Sequence, residues 1–193
     1  MRDYEMMCNE DLLSYVAGQR IRECDNLSHL SQMTVEELMQ MKGVGKITAK
    51  RIIAAFELGR RVLIEKNSDQ TLDSSDAIYN FILPYLGGLD HEEVYAIAMN
   101  NALRVITAKR ISSGGYSDTP FDIRQILNFA LTNKAVVLAV CHNHPSGRVT
   151  PSTPDDNVTR DLHKSCDIMH IRMLDHIIVG GGYYYSYADS GRI

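Results

Sequence analysis

The sequence predicts a small all-α domain followed by a three-layer α/β domain, and three observations support this organisation. The chain has 193 residues, 45% of them hydrophobic, which is enough for one large or two small globular domains. Residues 1–66 show helical periodicity, whereas residues 72–193 alternate between helical and strand patterns. The polar stretch 67–71 between them is typical of a linker.

The first domain is predicted to contain three helices. Asn9 precedes apolar residues with helical spacing and is expected to cap the first helix. Thr34 followed by Glu37 is a capping-box pattern and predicts a short helix over 34–41. A longer helix is predicted from about residue 47 to residue 65. Its apolar stripe consists of Ile52, Ile53, Phe56 and Val62.

The segment 38–52 (LMQMKGVGKITAKRI) matches the helix-hairpin-helix pattern. Gly43 and Gly45 permit a tight turn and the close approach of another backbone, and the N–H groups at the next helix start can hold a phosphate. Lys46 and Lys50 lie one turn apart on that helix and add positive charge. The pattern predicts weak, non-specific and salt-sensitive DNA binding, while a packing or protein-binding role for the hairpin is the alternative.

Charge is distributed unevenly along the chain, whose formal net charge is −4. Residues 42–61 contain a local basic excess, with Glu57 as the one acidic residue. The basic side chains are Lys42, Lys46, Lys50, Arg51, Arg60 and Arg61. Such an excess serves nucleic acid binding in some proteins and forms a solvated helix face in others, so charge alone does not decide between them.

The second domain is predicted to interleave strands with helices. The predicted order is a helix over 74–86, a hairpin of 94–100 and 103–111, a helix over 122–133, a strand over 135–141, a helix over 155–166 and two strands at 174–180 and 183–188. The segment AVVLAVC (135–141) lacks polar alternation, which favours a central strand covered on both faces. This arrangement predicts a layered α/β domain.

Two histidines and an aspartate after the central strand form a candidate metal site. His142 and His144 are separated by one residue of extended chain, so their side chains point the same way. Asp155, eleven residues beyond His144 at a helix start, can complete the set. Two imidazoles and a carboxylate suit zinc with a water in the open fourth position. A nearby hydroxyl, here Ser152, can stabilise an oxyanion, and a carboxylate base is still needed.

The full spacing resembles the signature of the JAMM/MPN metallopeptidases: His-x-His-Pro, six residues, then Ser-x-x-Asp. With the flanking segments CHNHPSG and LDHIIVGGG, the chain is similar to the bacterial RadC family, the UPF0758 group, from about residue 9 onward. The resemblance implies one Zn²⁺ per chain with His142, His144 and Asp155 as ligands, and Ser152 as the oxyanion residue. It also implies a cytidine-deaminase-like sheet with helices on both sides, and a peptide or protein substrate.

The resemblance also indicates where the catalytic base lies. In that family a glutamate precedes an apolar strand, and counting back eight residues from Asn100 gives Glu92, with Glu93 beside it. Neighbours on a strand point to opposite faces, so only one of the two can face the metal site. Register favours Glu92 as the base and leaves Glu93 as the alternative.

Two further side chains near these motifs are expected to have structural roles. Cys141 precedes His142 on an extended strand and so faces away from both histidines, which predicts a buried thiol. His176, in the segment LDHIIVG, is not connected to the metal site by spacing. A packing role is predicted for His176, and a position behind the metal ligands is the alternative.

Three classes of function remain open. They are a zinc-dependent peptidase or isopeptidase, a DNA-repair or recombination-associated binding protein, and a scaffold that retains zinc for folding. The complete set of Glu, His, His, Ser and Asp favours the hydrolase. The longest apolar run is too short for a membrane helix, and the acidic opening segment does not have the pattern of a secretory signal. We therefore expect a cytoplasmic protein without a membrane partner.

Overall fold

The computed structural model describes residues 3–21, 26–67, 70–114 and 121–193. The chain divides into two compact units, Met1–Glu65 and Lys66–Ile193. Across the described ranges, none of the helices combines the length and the apolar character that a membrane span requires.

The first unit is helical. After a short 3₁₀ helix, Asp3–Met6, it contains α1 (Asn9–Ala17), α2 (Leu27–Gln32), α3 (Val35–Leu38) and α4 (Lys46–Asn67). The capping box predicted at α3 is confirmed, because the Thr34 amide donates to the Glu37 carboxylate and the Glu37 amide donates to the Thr34 hydroxyl. The predicted cap of α1 is wrong by one residue, since Cys8 occupies the N-cap position and Asn9 begins the helix.

The core of the first unit covers only part of the stripe predicted on α4. Ile52 is fully buried, whereas Val62 is 48% exposed. The other buried apolar residues of this core are Leu13, Ala17, Ile21, Leu30, Leu38, Val44 and Ala49. The helix also continues through Asn67, the first residue of the predicted linker. Periodicity therefore identified α4 but not the point at which its packed face ends.

The second unit is a five-stranded mixed sheet with helices on both faces. Its elements are α5 (Ser75–Leu86), β1 (Glu93–Met99), β2 (Val105–Ser113), α6 (Ile123–Thr132), β3 (Val137–Asn143), α7 (Thr153–Ile168), β4 (Arg172–Gly180) and β5 (Tyr183–Ser186). The strand order is β2-β1-β3-β4-β5. The β3–β4 pair is parallel and the other pairs are antiparallel, so the predicted β1–β2 hairpin is confirmed.

Strand β3 lies at the centre of the sheet, and all seven of its residues are buried. Leu138 and Val140 pack with α6 and α7 on one face, and Ala139 and Cys141 pack with α5 on the other. This double coverage explains why the strand lacks polar alternation. The strand ends at Asn143, two residues later than predicted, and therefore includes His142.

Glycines allow the loop after β3 to pack against the turn after β4. Gly147 and Gly181 adopt left-handed backbone conformations, with φ of +79° and +57°. A Cβ atom on Gly180 or Gly181 would lie about 3 Å from the backbone of Gly147, so side chains there would separate the two segments. The His144 amide also donates to the Val179 carbonyl at 2.8 Å. These contacts hold the chain directly after β3 against the end of β4.

Candidate metal centre

Both predicted histidine ligands lie at the C-terminal end of β3. His142 is 2% exposed and His144 follows directly after the strand. Their Nε2 atoms are 3.0 Å apart, and their ring centroids are separated by 4.8 Å. The two imidazoles therefore present the same nitrogen to one small volume, as the spacing predicted.

Asp155 completes the cluster from the first turn of α7. Its Oδ1 lies 3.3 Å from His142 Nε2, and its Oδ2 lies 3.6 Å from His144 Nε2. Ligand atoms about 2.0–2.2 Å from a tetrahedral zinc are separated by about 3.3–3.6 Å. The separations of 3.0–3.6 Å between the two nitrogens and the carboxylate oxygens are close to this spacing. Two imidazoles and a carboxylate are also a donor set that zinc uses. The residues present therefore fit the metal that the sequence implies.

The ionisable groups of the cluster shift one another's pKa values. Burial opposes ionisation of Asp155, but its close contacts with the imidazoles of His142 and His144 outweigh burial and hold its pKa well below the usual range. The contact with Asp155 raises the pKa of His144, although burial opposes this shift. The carboxylate is therefore ionised at neutral pH, as a zinc ligand must be, and any proton on His144 Nε2 has to leave before zinc binds there.

The other nitrogen of each imidazole is held by the protein. His144 Nδ1 donates to the backbone carbonyl of Arg148 at 2.7 Å. His142 Nδ1 lies 2.8 Å from Nε2 of His176, whose Nδ1 is 2.6 Å from the hydroxyl of Thr159. Such bonds behind a ligand fix its ring orientation and its tautomer.

His176 is fully buried, and burial lowers its pKa well below the usual value. Its ring stacks on Tyr187, with a centroid distance of 5.0 Å, so it packs as predicted. His176 also lies behind the metal ligands, which was the alternative, because the parallel pairing of β3 with β4 brings its ring into contact with His142. Thr159 was not singled out from the sequence, although it lies one helical turn after Asp155 on the same face of α7.

Glu93 is the first residue of β1, and Glu92 directly precedes the strand. Val94 pairs with His142, so continuing the antiparallel register by two residues places Glu92 opposite His144. The negative charge of Glu92 contributes to the raised pKa of His144, consistent with this proximity. Glu93 instead binds Arg110 at 2.7 Å and His91 at 3.1 Å, with its own side chain almost fully buried.

The amide side chain of Asn143, the residue between the two histidines, holds the segment that carries Glu92. Its Oδ1 accepts from the Glu93 amide at 2.8 Å, and its Nδ2 donates to the His91 carbonyl at 2.8 Å. Asn143 is 3% exposed and lies on the face of β3 opposite His142. Because these two bonds join the residues on either side of Glu92, they fix its backbone relative to β3.

Ser152 is the N-cap of α7 and forms a capping box with Asp155. Its hydroxyl donates to Asp155 Oδ2 at 2.6 Å, and its backbone amide donates to the same oxygen at 2.7 Å. The Asp155 amide donates back to the Ser152 hydroxyl at 3.2 Å. The side chain is exposed, next to a metal-site carboxylate. The structure thus places Ser152 beside the cluster and gives it a capping role.

The chain neighbours of Asp155 and His142 have other contacts. Asp156 binds Arg192 at 2.6 Å and accepts from the Tyr187 hydroxyl at 2.8 Å. Cys141 is fully buried in the core under α5, and burial raises its pKa well above the usual value. Asp155 therefore remains the carboxylate that faces the two histidines.

The hairpin residues lie at the start of α4 in the first unit. Gly43 adopts a left-handed conformation with φ of +86°. Its carbonyl accepts a hydrogen bond from the side chain of Gln19. Gly45, Lys46 and Lys50 are exposed, as is Gly43. The turn is therefore accessible at the N-terminal end of a 22-residue helix.

Comparisons with known proteins agree with these features. The family model described as the RadC-like JAB domain matches residues 72–192. A UPF0758 protein of Flavobacterium johnsoniae is 37% identical over 90% of this chain and 77% of its own length. UPF0758 proteins of Porphyromonas gingivalis and Streptococcus gordonii are 33% and 31% identical, over 91% and 96% of this chain and 79% and 88% of their own lengths. The chain therefore belongs to the RadC (UPF0758) family, and its second unit has a JAMM-type fold.

Proposed function

We propose that this protein is a zinc-dependent metallopeptidase or isopeptidase-type hydrolase, in which an activated water attacks an amide bond. The observation that carries the proposal is the cluster of His142, His144 and Asp155, in which the two Nε2 atoms lie 3.0 Å apart and 3.3–3.6 Å from the carboxylate oxygens. When bound there, one zinc ion supplies a Lewis acid that polarises a carbonyl and lowers the pKa of water to about 7.

Glu92 is the proposed general base. If the β1–β3 register is extended two residues beyond the Val94–His142 pair, Glu92 comes opposite His144 and its carboxylate is at the edge of the cluster. A carboxylate there accepts a proton from the attacking water and can deliver it to the leaving amine. Asn143 contributes by holding the backbone on both sides of Glu92, which keeps this carboxylate in place.

Ser152 is the proposed oxyanion donor. Its hydroxyl lies beside Asp155, at the open side of the cluster, where an amide carbonyl would develop negative charge. The same hydroxyl proton is donated to Asp155 in the structure, so the proposed role requires rotation of this exposed side chain towards the substrate. The capping role and the oxyanion role therefore use the same proton at different stages.

The proposal is tested by replacing each glutamate in turn. We expect Glu92→Gln to abolish hydrolysis of a peptide library while zinc content, measured by atomic absorption, and melting temperature stay unchanged, because the base is not a ligand. Glu93→Gln is the matched control, since it changes the neighbouring carboxylate, which binds Arg110. Loss of zinc in Glu92→Gln, or loss of hydrolysis only in Glu93→Gln, would contradict this assignment.

A second candidate function is DNA binding by the first unit, which would make the zinc domain accessory in a repair- or recombination-associated protein. The exposed turn at Gly43 and Gly45, followed by exposed Lys46 and Lys50 on a long helix, favours it. In this proposal α3, the turn and the start of α4 form the helix-hairpin-helix, and backbone N–H groups bind phosphate non-specifically. The two functions are compatible, because the hairpin could localise the hydrolase.

A further inference from the structure

A chain of three buried hydrogen bonds runs behind the metal centre from one ligand to the backbone of another. His142 Nδ1 contacts His176 Nε2 at 2.8 Å, and His176 Nδ1 contacts the Thr159 hydroxyl at 2.6 Å. That hydroxyl donates to the Asp155 carbonyl at 2.6 Å. His176 and Thr159 are 0% and 2% exposed. The chain is therefore closed to solvent at its centre.

We propose that Thr159 and His176 are positioning residues that hold His142 in the tautomer with its proton on Nδ1 and its Nε2 lone pair directed at the metal cluster. This inference rests on the proposed role of His142 as a zinc ligand. It adds two residues that are not proposed as zinc ligands. It also assigns the donor and the acceptor of each hydrogen bond in the chain.

The proton directions follow from counting donors. A backbone carbonyl can only accept, so the single hydroxyl proton of Thr159 is used on Asp155. Towards His176 the Thr159 oxygen can then only accept, and His176 must carry its proton on Nδ1. An imidazole that carries its one ring proton on Nδ1 accepts at Nε2. His142 must therefore donate from Nδ1, which leaves the lone pair of its Nε2 facing His144 and Asp155.

His144 reaches the same tautomer by a different route. Its Nδ1 donates directly to the carbonyl of Arg148 at 2.7 Å, so a single bond to a loop backbone is sufficient. Nδ1 of His142 faces the protein interior, where its partner is the side chain of His176 on β4 and not a backbone carbonyl. His142, which is buried, therefore needs the side chains of His176 and Thr159 to fix its tautomer. For His144, which is partly exposed, the carbonyl of Arg148 in its own loop is sufficient.

Packing fixes the ring of His176 in the orientation that this chain needs. Tyr187 stacks on it at 5.0 Å with an interplanar angle of 6°, and Phe121 lies against it at 5.2 Å. The Tyr187 hydroxyl is held by Asp156 at 2.8 Å. These two aromatic contacts hold the ring of His176 with its nitrogens towards His142 and Thr159.

A pair of substitutions at Thr159 tests the proposal. Thr159→Val keeps the shape but removes the hydroxyl, whereas Thr159→Ser keeps the hydroxyl. We expect Thr159→Val to weaken zinc affinity about ten- to a hundredfold, measured by competition with a chromophoric chelator, and Thr159→Ser to restore it.

A second measurement is independent of zinc and of catalysis. Ring ¹⁵N shifts of His142, recorded on metal-free protein at alkaline pH, report which nitrogen carries the proton. We expect the Nδ1–H form in the wild-type protein and in Thr159→Ser, and a loss of that uniform form in Thr159→Val. A wild-type His142 protonated on Nε2 would overturn the proposal, even if the valine variant failed to fold.

The outcomes separate this inference from the proposed function. Wild-type protein that binds no zinc, yet shows the Nδ1–H form that Thr159→Val loses, would support the hydrogen-bond chain and contradict the zinc hydrolase. A Thr159→Val protein with a lower melting temperature but unchanged zinc affinity and ¹⁵N shifts would overturn the inference, because the network would then be only structural.

Discussion

The two units of this protein hold their candidate functional side chains in opposite ways. In the second unit His142 and Asp155 are 2% and 9% exposed, and each is hydrogen-bonded on more than one side. In the first unit Lys46 and Lys50 extend from the surface of a helix. Buried polar groups must be paired, so their geometry is restricted to one arrangement. Exposed charges have no such restriction and can contribute mainly through the electrostatic field.

Shifted pKa values carry a different meaning in the two units for the same reason. Hydrogen bonds from Arg60 and then Arg61 lower the pKa of Glu57 to about 2, but these side chains are largely exposed and the pair contributes little to stability. The pKa of Asp155 is lowered against a burial penalty by His142, which is buried, and His144, which is partly buried. We therefore expect single substitutions in the second unit to have large effects and substitutions on the first unit's surface to have small ones.

The largest effect is expected from removing a ligand. His142→Ala and His144→Ala should each reduce zinc from about one equivalent per chain to near zero in atomic absorption, because two remaining donors do not make a stable zinc site. His29→Ala, an exposed histidine of the first unit, is the control and should keep full zinc. If both ligand variants retained full zinc, the zinc would have to be bound at another site.

The second effect concerns Ser152, which belongs to the second unit but is exposed, unlike His142 and Asp155. A glycine at an N-cap costs only a few tenths of a kcal/mol, whereas alanine costs about 1 kcal/mol. Ser152→Gly should therefore keep the melting temperature but lower kcat about a hundredfold with little change in KM, because an oxyanion donor acts in the transition state. Zinc should remain bound.

Ser152→Ala provides the complementary measurement. If the hydroxyl acts only as a cap, Ser152→Ala should lower the melting temperature while both variants retain near-normal kcat. That pattern would remove Ser152 from the catalytic mechanism and leave the capping box that the structure shows.

The third effect is expected at Asn143, which acts on Glu92 through the backbone. Asn143→Leu preserves the volume of the side chain but removes its bonds to Glu93 and His91. We expect kcat to fall about thirtyfold, since losing two buried hydrogen bonds releases the segment that carries the base, while zinc affinity changes less than about twofold. Asn143→Asp keeps the acceptor and should have an intermediate kcat. Equal kcat in the wild type and Asn143→Leu would contradict a positioning role.

Local patterns predicted most of the fold, and the misses were at the ends of elements. The central strand was recognisable because its double coverage removes polar alternation, and the capping box of α3 because it is a contact between residues three apart. The end of the packed face of α4 was not recognisable from the sequence, since the exposure of Val62 depends on which parts of the folded chain pack against it.

The same distinction applies to the site. The histidine pair and Asp155 were detectable because strand alternation and a helix start bring them together within a short segment. The contact between His142 and His176 depends on the parallel pairing of β3 with β4, which spacing along the chain does not encode. The role of Thr159 depends on that contact in turn, so it emerges only from the folded structure.

The smallest effect is expected in the first unit. Lys46→Glu with Lys50→Glu should weaken binding to any duplex by about tenfold or less and reduce the salt slope by roughly 2, because each lost phosphate contact contributes about 0.9 to that slope. Hydrolysis of a small peptide should not change. Fluorescence anisotropy at several salt concentrations measures both quantities.

A matched charge reversal on the same helix decides whether the hairpin itself is responsible. Arg60→Glu with Arg61→Glu changes the net charge by the same amount, about 20 Å along α4 from Lys46. If the protein binds DNA through the hairpin, the lysine pair should weaken binding clearly more than the arginine pair, because contacts at the helix start depend on position. Equal weakening would mean that only the overall charge of the helix matters, and the exposed turn would then have no part in binding.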